Sequence, residues 1–269
     1  MPLGNTNPFG AAAAFRFLPL YQRAVFGHHG HRIRQAKDRR VDSSHQECLS
    51  NTSSPLGFDA MRRRYTHGSL LEQDIESDPL VQFRNWLDEA LAAEAPDWLE
   101  INAMNLSTCS LDGRVTSRMV LLKGLDEEGF WFYTNYDSVK GQQISENANV
   151  SLCFYWPHLE RQVRIEGVAS RCSRERSVAY FQSRPRGSQL GASLSDQSSV
   201  IESRQRLAER LGELESKFEG GDIPCPDFWG GYSVRPDRIE FWQGGDDRLH
   251  DRLSYRREAE SWMIERLSP

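Results

Sequence analysis

Arg248, His250 and Arg252 recur at alternate positions near the C-terminus, in the run Ile239-Glu240-Phe241-Trp242-Gln243-Gly244-Gly245-Asp246-Asp247-Arg248-Leu249-His250-Asp251-Arg252. Alternate residues of a strand share a face. An extended segment over residues 248–255 would therefore line three cationic or protonatable groups along one side. Such groups repel one another unless an anion sits among them, and a phosphate or the edge of a flavin would serve. The bland alternative is a solvated strand face with Asp246, Asp247 and Asp251 as ion-pair partners.

Tyr180, Arg184 and Ser188 form a second constellation. Tyr180 and Arg184 are four apart and share a helix face. Ser188 lies just beyond the Pro185 break, where backbone N–H groups become free. A guanidinium, two hydroxyls and loop amides are the parts of a phosphate pocket, although such Tyr/Arg pairs also simply cover helix surfaces. Arg118 and Lys123 make a third set, within Arg118-Met119-Val120-Leu121-Leu122-Lys123. A regular strand points residues five apart to opposite faces, so the two would serve different groups of a ligand or snorkel at the core edge. Gln162 and Gln197-Ser198 add neutral hydrogen-bonding groups suited to a ring with N and O edges. His67, His158 and His250 are scattered and suggest no metal site. No Gly-x-Ser-x-Gly elbow, dinucleotide-binding glycine run or phosphate loop is present.

These residues must be positioned by elements that the sequence also marks. Asp78-Pro79 reads as a helix cap and first turn, and Leu80, Phe83, Trp86, Leu87, Ala90 and Leu91 follow at helical spacing. Residues 102–170 change to strand patterning. Residues 102–110 and 115–125 flank Asp112-Gly113, a hairpin signal. Residues 130–134, 150–156 and 162–168 follow, with a short helix over 140–147. Such short, closely spaced strands predict an antiparallel meander. Helices are expected over 174–184, ending at Pro185, and over 202–218, with Leu207, Leu211, Leu214 and Phe218 on one face. Strands return at 231–235, 239–243, 248–255 and 262–267. The fold class is mainly β with flanking helices, an antiparallel barrel or sandwich.

The chain has 269 residues and a net charge of −5. A general nucleic-acid binder would usually be basic, and no apolar run is long enough to span a membrane. Five cysteines without a Cys-x-x-Cys spacing argue against a disulfide framework and for a reducing compartment. Residues 1–57 stand apart from the domain expected over 58–269. Up to Lys37 there is no acidic residue, but Arg16, Arg23, Arg32, Arg34 and Lys37 are present, and serines follow. This composition fits a mitochondrial transit peptide. It fits equally a disordered tail on a cytoplasmic protein.

Residues 239–252 resemble the C-terminal signature of the pyridoxamine 5'-phosphate oxidases. Arg118–Lys123, Arg161-Gln162-Val163, Ser183-Arg184-Pro185 and Gln197-Ser198-Ser199 resemble further blocks of that family in the same order, so the resemblance spans residues 61–269. It implies a split β-barrel homodimer with FMN at the subunit interface. FMN contacts would fall on Arg118, Met119, Val120 and Leu121, on Tyr133, Thr134 and Lys140, and on Gln162, Gln197, Ser198, Trp242 and Arg252. Lys123, Tyr180, Arg184 and Ser188 would meet the substrate phosphate and ring, together with Arg248, Leu249 and His250. Residues 61–65 resemble a lid that places Arg62 and Tyr65 over the substrate. The family usually carries Ser-Arg-Lys where this chain has Ser138-Val139-Lys140, so one FMN-phosphate contact is missing at Val139.

The implied reaction oxidises pyridoxine 5'-phosphate and pyridoxamine 5'-phosphate to pyridoxal 5'-phosphate. Oxygen is the acceptor, giving hydrogen peroxide, and the amine also yields ammonia. Arg248 and His250 would act at the C4' substituent, with histidine the natural proton acceptor near neutral pH. Two other readings are a split-barrel flavin oxidoreductase of different specificity and a non-catalytic carrier of FMN or pyridoxal phosphate. The first would not need Arg184, Ser188 and Arg248-x-His250. The second predicts binding without turnover.

Overall fold

The computed structural model describes residues 63–269. Arg62 and the N-terminal extension, with its transit-peptide and tail readings, lie outside the described residues. Helix α1 spans Pro79–Ala92, and the Asp78 carboxylate accepts the Leu80 N–H at 2.8 Å. Proline at the first position gives up nothing, because that N–H has no partner inside a helix. Phe83, Trp86 and Ala90 are buried, and Leu80 and Leu87 pack beside them. Leu91 is 61% exposed. It follows Leu87, itself at the rim of the stripe, by one turn, and so falls off the buried face.

Strand β1 (Ala103–Cys109) turns through Asp112-Gly113 into β2 (Val115–Leu121). Gly113 supplies the φ of 84° that the turn requires. A single strand over 115–125 is expected from the sequence, but β2 stops at Leu121. The chain then leaves one edge of the sheet for the other. Leu122 N–H donates to Asn102 O and Lys123 N–H donates to Trp131 O, each at 2.8 Å. Strands β3 (Gly124–Asp126) and β4 (Gly129–Asn135) follow on that far edge.

After α2 (Val139–Glu146) come β5 (Asn149–Trp156) and β6 (Arg161–Arg171). The strand order is β2-β1-β5-β6-β7-β4-β3, so the two ends of the path are consecutive in sequence. Two linking residues span no more than roughly 11 Å. The sheet must therefore curl until its edges approach, which makes a split barrel. Its interior is the alternate set Met104, Leu106, Phe132, Leu152, Phe154 and Ile165, all at 0% exposure, and α1 closes one side.

Strand β7 (Trp229–Gln243) is one element where two are expected. Pro236 does not end it, because the β6–β7 register shifts between Glu166 and Gly167 and leaves Asp237 unpaired there. A bulge is where a strand tolerates proline. Strands β8 (Asp251–Glu258) and β9 (Ser261–Arg266) extend from β7.

Helices α3 (Arg174–Ser183), α4 (Arg186–Leu194) and α5 (Arg204–Lys217) gather around Trp229 through Phe181, Leu190, Leu211, Leu214 and Phe218. Leu207 is exposed. Helix α4 is not expected from the sequence. Pro185 ends α3 but also opens α4, its carbonyl accepting Ser188 N–H at 2.8 Å. Among the described residues no helix is long and apolar enough to cross a membrane.

Phe83 stands 4.9 Å from both Phe130 and Phe154, ring centre to ring centre. Phe83→Ala should cost about 3–5 kcal/mol in urea denaturation. Leu91→Ala should stay within about 0.5 kcal/mol. Equal costs would contradict the assignment of the helix's buried face.

Candidate active site

The crossover that closes the barrel also sets Lys123 at a cleft of about 630 Å³ between β2, β4, α2, α3 and α4. Four cations line it, namely Arg118, Lys123, Lys140 and Arg184. Among the described residues no aspartate or glutamate does. Arg118 and Lys123 do not diverge as a regular strand would require. The break at Leu122 turns both into the same cleft.

Arg118 is held by neutral groups. Its Nη1 donates to Leu106 O at 3.0 Å and to Thr108 Oγ1 at 2.8 Å, and its Nη2 donates to Thr116 Oγ1. Lys140 sits in the first turn of α2, whose N-cap Ser138 accepts Gly141 N–H. Its Nζ donates to Thr134 Oγ1 at 3.2 Å, Ser138 Oγ at 3.3 Å and Gln197 Oε1 at 2.5 Å. Burial, and then the Arg118 charge, pull the Lys140 pKa down to about 8. An anion between the two would reverse that shift.

Arg184 caps the C-terminus of α3, beside Tyr180 and above Trp229 at 4.9 Å. Its Nη1 is buried and has no hydrogen-bond partner. A buried donor left unmatched is costly, and an anion in the cleft would satisfy it. The Tyr133 and Tyr180 rings stack at 3.9 Å. Burial pushes Tyr133 up to about 12, so its hydroxyl remains protonated at neutral pH. Ser188 lies in the first turn of α4, but its N–H is not free as the sequence suggests, because the N-cap carbonyl of Pro185 accepts it. Met119, Val120, Leu121, Thr134 and Gln197 complete the predicted set that the cleft brings together. Val139 and Ser198 do not line it. Val139, 44% exposed, donates its N–H to Ser198 Oγ at 3.4 Å.

The remaining predicted residues gather elsewhere. Arg248, His250 and Arg252 do not share a strand face, because β8 begins only at Asp251. Gly244-Gly245 opens a 3-10 turn over Asp246–Arg248, with Asp247 at φ 52° and Arg248 at φ 65°. Leu249 ends that turn and is exposed. Arg252 is in the strand and pairs with buried Glu240, Nε to Oε1 at 2.9 Å and Nη2 to Oε2 at 3.2 Å. Register places Gln162 beside Trp242, and Trp242 beside Arg252.

His250 packs on Trp242 at 4.7 Å, and Tyr65 stands edge-on to both rings. The His250 Nδ1 accepts Gly245 N–H at 3.2 Å. Burial, with Arg248 second, lowers its pKa. The neutral ring so arranged carries its proton on Nε2 and offers a ligand a donor. An acceptor role would require the Gly245 bond to break first.

These two groups lie at opposite ends of β7. Trp229 lines the cleft and Trp242 the histidine loop, a contour of about 40 Å at roughly 3.3 Å per residue. Trp229, Asn135 and Ser195 also line the cleft. No spacing in the sequence marks them, since the helices that bring them together pack from afar.

An antiparallel sheet curled to a seam, with a cationic cleft at that seam, defines a split-barrel protein. Residues 88–217 match the family described as "Pyridoxamine 5'-phosphate oxidase", and residues 229–269 match "Pyridoxine 5'-phosphate oxidase C-terminal dimerisation region". A "Pyridoxine/pyridoxamine 5'-phosphate oxidase" of Rhodopirellula baltica is 54% identical over 219 residues, 80% of this chain and 98% of its own. One of Rubrobacter xylanophilus is 56% identical over 209 residues, 78% and 95%. The crystal structure of PhzG from Burkholderia lata, in complex with tetrahydrophenazine-1-carboxylic acid, superposes with a TM-score of 0.70 at 29% identity. It covers 76% of this chain and 100% of that one. The chain belongs to the pyridoxamine 5'-phosphate oxidase family.

Lys140 loses its proton in the folded protein near pH 8, but at its ordinary 10.5 when unfolded. Between these values the unfolded state binds more protons, so stability rises with pH. Urea denaturation of the ligand-free protein should show that increment, and Lys140→Met should lack it. Identical pH profiles for the two proteins would refute the burial of a charged Lys140.

Proposed function

We propose that this protein is an FMN-dependent oxidase of pyridoxine 5'-phosphate and pyridoxamine 5'-phosphate that forms pyridoxal 5'-phosphate. The observation that carries the reading is the acid-free cleft with four cations and the unmatched Nη1 of Arg184. The two curated relatives support it. The cations fall into two pairs suited to two phosphates. Arg118 and Lys140, with Thr134 and Gln197, would hold the FMN phosphate. Arg184 and Lys123, with Tyr180 and Ser188, would hold the substrate phosphate.

A second copy of the chain completes the site. Residues 229–269, matched as a dimerisation region, contain Trp242, Arg248, Leu249, His250 and Arg252. A two-fold dimer would bring this end of one chain to the cleft of the other and make two equal sites. Arg252 suits that role. It has five N–H donors, and the chain engages Nε, Nη2 and one N–H of Nη1, the last with Ser268 O at 2.7 Å. The rest stay free for a ligand. Gln162 shares its row on the sheet.

FMN, when bound, supplies the two-electron chemistry, and its reoxidation by oxygen gives hydrogen peroxide. The residues of the chain bind and orient. Arg184, Ser188, Tyr180 and Lys123 grip the substrate phosphate and so fix the distant C4' carbon. Arg248 and His250 meet the C4' substituent, His250 through Nε2–H. Tyr65 covers the substrate. A split-barrel flavoprotein acting on an unphosphorylated ring would leave the Arg184 end of the cleft without a task.

Adding pyridoxine 5'-phosphate anaerobically to the FMN-loaded protein should bleach the flavin absorbance, and air should restore it. A spectrum that stays yellow with both phosphate substrates would overturn the reading. Arg184→Ala should raise KM by about tenfold or more with little change in kcat, because a ground-state charged contact of about 1.5–3 kcal/mol is lost. At the rim, Val139→Arg should tighten FMN binding in a fluorescence titration by about tenfold. An unchanged Kd would show that the cleft needs no cation there.

A further inference from the structure

Glu160 has 2% exposure and a φ of 56°. Neither condition suits glutamate. The left-handed region favours glycine, and a buried carboxylate must find partners. Its backbone is required by its neighbours whatever the side chain. The Glu160 carbonyl accepts Gly244 N–H at 2.8 Å and Gln243 Nε2 at 3.4 Å. Glycine would do that without strain. The side chain therefore needs its own explanation.

Its partners all belong to one short segment far away in sequence. Oε2 accepts Thr66 N–H at 2.7 Å and His67 N–H at 3.1 Å, and Oε1 faces Arg63 Nη2 at 3.2 Å. Between these anchors lies Tyr65. Its ring rests on Gly244 so closely that a Cβ there would stand 2.6 Å from it. The same ring meets Trp242 and His250 edge-on, at 5.7 Å and 5.3 Å. Farther along, Asp251, the neighbour of His250, accepts Leu70 N–H at 3.0 Å. Two carboxylates thus tie the segment down on either side of the histidine loop.

We infer that Glu160 is a positioning residue of the oxidase. Its carboxylate latches residues 63–67 across the histidine loop and sets Tyr65 against the His250 imidazole, so that substrate meets a fixed ring. Glu160 itself touches no substrate. The inference rests on the reading of His250 as part of the active site.

The test is Glu160→Gly in the FMN-loaded full chain, read by amide hydrogen exchange and steady-state kinetics. Glycine relieves the backbone and keeps both carbonyl bonds, so the thermal midpoint and the FMN Kd should hold. The Thr66 and His67 amides should exchange about tenfold faster or more. KM for pyridoxine 5'-phosphate should rise about fivefold, with kcat within about twofold, as expected for lost ground-state binding. Glu160→Gln keeps an acceptor oxygen but not the charge, and should show the same changes to a smaller degree. It serves alone should the glycine variant not fold. Parental exchange at Thr66 and His67 in both variants would overturn the latch, and faster exchange with an unchanged KM would overturn the positioning role. Exchange needs no turnover, so a failed oxidase reading would show separately, as a parent protein whose flavin is not reduced.

Discussion

The passage of the chain through Leu122 and Lys123, from one sheet edge to the other, is the constraint on which the rest depends. Two residues cannot bridge a flat seven-strand path, so the sheet curls. Curling turns one face inward, and that face carries the aromatic and aliphatic residues at 0% exposure. At the seam, β2 has β1 as its ladder partner and β4 has β7 and β3. The space between β2 and β4 is thus left for a ligand, and Arg118 reaches it from one side and Tyr133 and Thr134 from the other.

Electrostatics separates this seam from the rest of the molecule. Elsewhere several arginines that lie against the body of the protein have carboxylates. Arg164 and Arg252 share Glu240, Arg161 meets Glu89, and Arg266 meets Glu72 and Asp251. In the cleft, Arg118 and Lys140 have only hydroxyls, an amide oxygen and a carbonyl. Burying cations without an acid raises the free energy of the empty protein, and the low pKa of Lys140, set by burial first and the Arg118 charge second, is one measure of it. On the proposed reading that cost is recovered when anions bind, so the same residues that weaken the empty fold strengthen the loaded one.

Much of this was legible in the sequence, for local reasons. The Asp78-Pro79 cap, the Asp112-Gly113 turn and the end of α3 at Pro185 are set by residue chemistry within one turn of chain. Other features were not legible, the continuity of β7 through Pro236 among them. The β2–β3 break falls inside an unbroken apolar run, Val120-Leu121-Leu122, whose pattern continues across it. Pro185 signals the end of one helix but not the start of another, since both uses of proline leave the same mark. The left-handed pair Asp247-Arg248 lacks the glycine that would announce it. Beside it, Gly245 packs tightly on the Leu249 carbonyl. The candidate residues for ligand contact are therefore legible by type, while their division into two groups is not.

On the proposed function, that division ties assembly to chemistry. Strand β7 is bonded to β6 through most of its length, to β4 at its start and to β8 at its end, so it acts as a stiff spacer between the cleft and the histidine loop. Such a spacer separates the cleft from Trp242 and His250, which do not line it. It also presents each group at a fixed place for another chain. On the proposed reading, the long strand does by rigidity what a mobile loop would do poorly. It holds two half-sites apart in the monomer so that each dimer contact closes a whole one.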